Sequence, residues 1–131
     1  MNIFLDSSAI IDFLRGRDGV KAQIDAADDV YTSSLCVFEI LLGEAYSRLK
    51  GFNPKSHALS FFEGTTIVPF SVDDAKRASE MQALLVSKGK RINGLDVLIA
   101  ASAIRVDSVI ITSDQDYEIL SDLLSANVKI I

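Results

Sequence analysis

Residues 2–14 read NIFLDSSAIIDFL. An apolar run, NIFL (2–5), meets Asp6, two serines follow, and apolar residues then return at helical spacing. A strand that ends on a carboxylate and hands over to a helix has two readings. Asp and Ser are good N-caps, because their side-chain oxygens accept the free N–H groups of a first helical turn. In open α/β sheets, however, ligands bind just beyond the carboxyl ends of the strands. These residues alone leave both readings open.

Outward from this stretch the same alternation continues. The first helix runs through SAIIDFLRG to about Gly16, and GVKAQIDAAD forms a second. A strand at VYT (30–32) leads into a helix over about 34–50, capped by Ser33 or Ser34. FNPKSHALSFFEG predicts a helix capped by Asn53 with Pro54 in its first turn. After the strand TIVPF (66–70), SVDDAKRASEMQALLVSKGK is a long helix in which Ser71 and Asp74 have capping-box spacing and Gly89 is the stop. LDVLIAASAIR is a short, very apolar helix, SVIIT (108–112) a strand, 115–124 a helix and VKII a last strand. Strands alternating with helices imply a parallel sheet covered on both faces. The expected fold is therefore a single α/β domain over 1–131, three layers deep (α/β/α), with a central parallel sheet of about five short strands.

Bulk properties narrow the chemistry. The 131 residues suit one domain, and 49% hydrophobic content argues against disorder. No apolar run is long enough to cross a bilayer, and no signal peptide is expected at the start. The single cysteine, Cys36, precludes an intramolecular disulfide and fits a cytoplasmic location. One Cys and one His, His57, cannot supply the four ligands of a structural zinc site or a two-histidine ribonuclease pair.

Five acids stand where strand or helix burial does not predict them: Asp6 after the first strand, Glu39 in CVFEILL, Asp96 in NGLDVLIAASAI, and Asp114 and Asp116 in TSDQDYEIL. Each has a plain structural reading. Asp6, Asp96 and Asp114 can be caps or first-turn acids, and Glu39 can face water, although Leu35, Glu39, Leu42 and Tyr46 share one helical stripe of otherwise apolar character. Taken together, all five point toward one edge of one sheet. Carboxylates that close repel one another unless a cation intervenes. Oxygen-only ligands suit Mg²⁺ or Mn²⁺, and such a cluster suits metal-assisted attack of water on a phosphodiester. Of 18 acids, these five account for the whole net charge of −5, because the remaining 13 balance 13 bases. Arg15, Arg17 and SKGKR (87–91) are basic groups available to steer a phosphate backbone.

At this point the sequence resembles the PIN-domain ribonucleases, and among them the VapC-type toxins of toxin–antitoxin pairs. IFLDSSAIIDFL, SSLCVFEILLG, INGLDVLIAASAI and ITSDQDYEIL are similar to four motifs of that family, in order and over nearly the whole chain. The resemblance implies a metal-dependent endoribonuclease that leaves a 5′-phosphate. It implies metal ligands at Asp6 and Asp96, with Glu39 and one of Asp114 and Asp116 completing the catalytic set, Asp114 being nearer the strand end. Ser7 and Thr112 are expected to orient carboxylates as hydrogen-bond donors. Cys36 departs from the Thr or Ser that the family often carries three residues before the Glu.

The implied partners are an RNA substrate and a VapB-like antitoxin whose peptide blocks the groove. A homodimer is expected as well, because FFEG (61–64), the FLRG helix and FEILLGEAY carry more large apolar residues than one sheet face hides. Two other functions compete: a PIN-like scaffold or binding protein without catalysis, and an Mg²⁺-dependent phosphoacceptor receiver domain. The receiver needs an aspartate after the middle strand and a late lysine. Here TIVPF is followed by Ser71, and Lys129 lies inside the last strand.

Overall fold

The apolar run after Met1 becomes β1 (Asn2–Leu5), in which Ile3, Phe4 and Leu5 are all fully buried. Successive strand residues face opposite sides of a sheet, so this strand is covered on both faces. The computed structural model describes residues 1–53 and 57–131. In chain order β1 is followed by α1 (Ser7–Leu14), α2 (Asp18–Ala26), β2 (Asp29–Ser33), α3 (Ser34–Leu49), α4 (Ala58–Glu63), β3 (Thr66–Val68), α5 (Val72–Ser87), α6 (Gly94–Arg105), β4 (Val109–Thr112), α7 (Tyr117–Leu124) and β5 (Val128–Ile130).

All four strand pairings are parallel and the order is β3-β2-β1-β4-β5. The fold is thus the three-layer α/β/α arrangement expected from the sequence. The chain leaves β1 toward β2 and β3 and later returns to β4 on the other side. The crevice at the carboxyl ends of β1 and β4 is therefore a topological switch point, the place where such sheets bind ligands. A receiver domain orders its strands 2-1-3-4-5, so this topology excludes that alternative.

Several boundaries differ from the sequence reading. Among the described residues α4 begins at Ala58, with His57 at the N-cap position in place of the expected Asn53, and the expected place of Pro54 lies outside the described residues. β3 stops at Val68 because Pro69, without an N–H, cannot continue the ladder. The helix expected over 115–124 starts at Tyr117.

The surplus of apolar side chains is also placed differently. Phe62 is buried, and Phe61 packs on Phe13 with ring centroids 5.3 Å apart. It is α3 that faces outward, with Phe38 at 60%, Leu42 at 53%, Tyr46 at 57% and Leu49 at 86% exposure. The stripe containing Glu39 runs from Leu35, packed against the core, out to exposed Leu42 and Tyr46.

Asp74 does more than close the capping box of α5 with Ser71. It accepts from Ser102 Oγ at 2.9 Å and from Arg105 Nε at 2.7 Å, joining the start of α5 to the end of α6. Burial pushes its carboxyl up, but hydrogen bonds from Arg105, the Ser71 N–H and Ser102 outweigh this and hold it at about 2. The clamp fixes α6 antiparallel to α5, with the first turn of α6, and so Asp96, at the opposite end.

Candidate active site

At the end of β1 the two readings of Asp6 coincide. Its backbone is extended, and its Oδ1 accepts the Ala9 N–H at 2.9 Å, so Asp6 itself is the N-cap of α1. Asp6 and the two serines after it all suit a cap by residue type, and it is Asp6 that takes the position. The same carboxylate is almost wholly buried in the switch-point crevice. Ser8 Oγ donates to Oδ1 at 2.7 Å and Thr112 Oγ1 donates to Oδ2 at 2.6 Å. A carboxylate has about four lone-pair positions, so three donors leave roughly one, on Oδ2. Burial raises the Asp6 pKa, the bonds from Thr112, the Ala9 N–H and Ser8 counter it, and the charge of Asp114 adds to the rise.

The donors on Asp6 are themselves tied together. Ser8 Oγ and Thr112 Oγ1 lie 3.1 Å apart, and the N–H groups of Ser113 and Asp114 donate to Ser8 Oγ and Thr112 Oγ1 at 3.0 Å each. The end of β4 is thereby knotted to the start of α1. Of the two serines that follow Asp6 in sequence, Ser8 is the one that fixes its carboxylate.

Ser33 caps α3 by accepting the Leu35 N–H, and Glu39 follows on that helix, half-buried. Ser7 Oγ donates to Glu39 Oε1 at 2.6 Å, so Ser7 serves Glu39 rather than Asp6. Cys36 is fully buried, and burial pushes its thiol up to about 11 against hydrogen bonds with Thr32 and Ser7.

Asp96 lies in the first turn of α6, with the cap supplied by Asn93 accepting the Leu95 N–H. Its carboxyl is pushed up to about 6 by burial and then by the charges of Asp114 and Asp6, with a smaller push from Glu39. A hydrogen bond from Tyr117 Oη to Oδ1, at 3.3 Å, offsets part of this. Tyr117 is fully buried, and desolvation followed by the charges of Asp6 and Asp96 holds its phenol protonated well beyond the ordinary range. In sequence Tyr117 lies in the ITSDQDYEIL stretch that resembles the fourth motif.

Asp114 and Asp116 separate clearly. Asp114 acts by its charge on both Asp6 and Asp96, and its Oδ1 accepts the Asp116 N–H at 2.9 Å in the turn before α7. Asp116 is exposed at the N-cap position of that helix and makes no side-chain cap bond. The crevice therefore brings together Asp6, Glu39, Asp96 and Asp114, with Asp116 at its margin.

Among the described residues no three His, Cys, Asp or Glu side chains close on one point as a ready-made metal cage. The donor set is all oxygen, and the acids influence one another through charge while standing apart. Of the basic groups, Arg17 is taken by Asp12 at 2.8 Å, whereas Lys88, Lys90 and Arg91 are exposed in the turn leading into α6.

Known proteins resemble this chain along nearly its whole length. A Rickettsia bellii protein named Ribonuclease VapC is 29% identical over 128 residues, covering 94% of this chain and 93% of its own. In fold, the chain is similar to VapBC2 from Rickettsia felis, solved with a DNA fragment from its promoter. The TM-score is 0.82 at 20% identity, with coverage of 100% of this chain and 99% of that one. VapBC-5 from Mycobacterium tuberculosis, a member of the VapBC family of toxin-antitoxin systems, gives a TM-score of 0.71 at 24% identity, covering 99% and 97%. The profile of the PIN domain matches residues 3–123, a span that contains all four acids of the crevice. On that match, this chain belongs to the PIN domain family.

Proposed function

We propose that the protein is an Mg²⁺- or Mn²⁺-dependent endoribonuclease that cleaves RNA phosphodiester bonds in the cytoplasm as the toxin of a toxin–antitoxin pair. The observation that carries this reading is the convergence of Asp6, Glu39, Asp96 and Asp114 on the carboxyl ends of β1 and β4, with Asp96 pushed up to about 6 by burial and its neighbours. Asp114 is the fourth acid of the set, because its charge reaches both Asp6 and Asp96. The name of the Rickettsia bellii relative supports the substrate class.

Clustered carboxylates repel a phosphodiester as they repel one another, so RNA needs a cation between. Mg²⁺ usually keeps several waters and takes one or two protein carboxylates rather than a closed protein cage. That habit fits an acid pocket whose members stand apart. Asp6 and Asp96 would hold the ion, with Glu39 and Asp114 completing the negative field. A divalent ion bound there supplies Lewis-acid polarisation of a phosphoryl oxygen and a water of lowered pKa.

The chain's own groups prepare the site. Ser8, Thr112 and the Ala9 N–H hold Asp6 in one orientation, and Ser7 does the same for Glu39. Lys88, Lys90 and Arg91 draw in the RNA backbone, an attraction that weakens with salt. The test is cleavage of a structured RNA with Mg²⁺, with Mn²⁺ and with EDTA, run beside Asp96→Asn. Cleavage that needs the ion and Asp96 is expected. No cleavage by folded wild-type protein with either ion would leave the scaffold reading standing instead.

The exposed apolar face of α3 supports two further parts of the proposal, a homodimer and an antitoxin docked beside the acid pocket, since monomers rarely leave such patches uncovered. Light scattering at tens of micromolar should give the mass of two chains; one chain refutes the dimer.

A further inference from the structure

Tyr117 spends a hydroxyl where a phenylalanine would fill the same space. Its ring is fully buried at the start of α7. A buried hydroxyl is costly unless it is hydrogen-bonded, and the partner here is Oδ1 of Asp96, 3.3 Å away and 21 residues back in the chain. The bond ties α7 to the first turn of α6. Among the described residues no other hydrogen bond reaches the Asp96 side chain, so the phenol is the one hydrogen-bond donor that fixes its orientation there.

The other acids of the crevice are restrained in their own ways. Asp6 has three donors, Glu39 has Ser7, and Asp114 accepts the Asp116 N–H. Repulsion from three neighbouring acids tends to turn Asp96 out of the pocket, and the phenol opposes that turn. We propose that Tyr117 is a positioning residue that holds the Asp96 carboxylate toward the pocket, with Oδ1 on the phenol and Oδ2 left for a divalent cation. The inference rests on the reading of the crevice as a cation site.

Calorimetric titration of the metal-free protein with Mn²⁺ tests it without any assay of cleavage. Tyr117→Phe should weaken Mn²⁺ binding about tenfold, the lower end of the usual effect of groups that orient metal ligands, while its metal-free melting temperature stays within a few degrees of wild type. Asp96→Glu keeps the charge but carries the carboxylate one methylene off the phenol, and it should lose affinity to a similar extent. Adding Tyr117→Phe to Asp96→Glu should then cost much less than tenfold. Wild-type affinity in Tyr117→Phe, or in Asp96→Glu, overturns the positioning role while leaving the cation site intact. Absence of Mn²⁺ binding by the wild-type protein overturns the cation site itself, and the positioning role with it.

Discussion

Replacing Asp96 by Asn removes one negative charge from the crevice while keeping the shape of the side chain and an oxygen for the Tyr117 phenol. A carboxyl whose folded value is raised destabilises the native state once it is ionised. The native state then holds its proton to higher pH than the unfolded chain does, and stability falls as pH rises from 3.8 to about 6. Taken at full strength, the gap between those two values corresponds to about 3 kcal/mol. Asp96 is only half-buried, so solvent screening lowers this to about 1–2 kcal/mol. Its favourable position in the first turn of α6 offsets up to ~1 kcal/mol more.

Asp96→Asn should therefore be more stable than wild type by about 1 kcal/mol at pH 7.5 in EDTA, which is roughly 4 °C for a domain of this size. The advantage should shrink as pH falls through 6 and vanish only well below pH 3.8, where the wild-type carboxyl is protonated in both states. Urea denaturation at a series of pH values, in EDTA, measures it directly. A variant less stable than wild type by 1 kcal/mol or more at pH 7.5 would show that Asp96 is retained as a structural first-turn acid, and the argument from crowded charge would fail.

Millimolar Mg²⁺ or Mn²⁺ should raise the melting temperature in a concentration-dependent way, since the ion binds the folded crevice and not the unfolded chain; Asp6→Ala should blunt the response, and a wild-type melt indifferent to both ions refutes the site. Thr112→Val removes the donor to Asp6 Oδ2 and the acceptor for the Asp114 N–H. It should cost about 2 kcal/mol in urea denaturation, and a loss below ~0.5 kcal/mol would mean that the hydroxyl is dispensable. Arg105→Ala leaves Asp74 buried without its cation, at a cost of about 2–3 kcal/mol, toward the low end for a buried pair because Arg105 is partly exposed. Because the Asp74 carboxyl is held at about 2, its contribution is complete above 3.8 and is lost as pH falls through about 2. Wild type should thus hold its margin over Arg105→Ala at pH 5 and lose it in strong acid, as acid-unfolding curves of the two proteins would reveal.

The order of strands and helices was legible in the sequence because the signals are local. Continuous apolar runs mark strands buried on both faces, and Ser71 with Asp74 marks a helix start within four residues. The candidate acids stood out for a related reason: a carboxylate among apolar neighbours, as at Asp6 and Asp96, is conspicuous without knowledge of its surroundings. The sequence had no means of assigning hydrogen-bond partners across long separations. Thr112 meets Asp6 across 106 positions, Ser7 meets Glu39 across 32, and Tyr117 meets Asp96 across 21. Those pairings depend on which strands become neighbours and on how α6 is docked. Adjacent β1 and β4 bring Thr112 to Asp6, and the Asp74–Arg105 clamp helps set α6 against α5. Between Asp114 and Asp116, which only Gln115 separates, the sequence favoured Asp114 because it stands nearer the strand end. In the turn before α7 the charge of Asp114 acts on Asp6 and Asp96, while Asp116 is exposed. Local pattern sets which residues become strand, helix and cap; the packing of distant elements sets which charges feel one another, because burial and Coulomb interaction depend on distance in space and not along the chain.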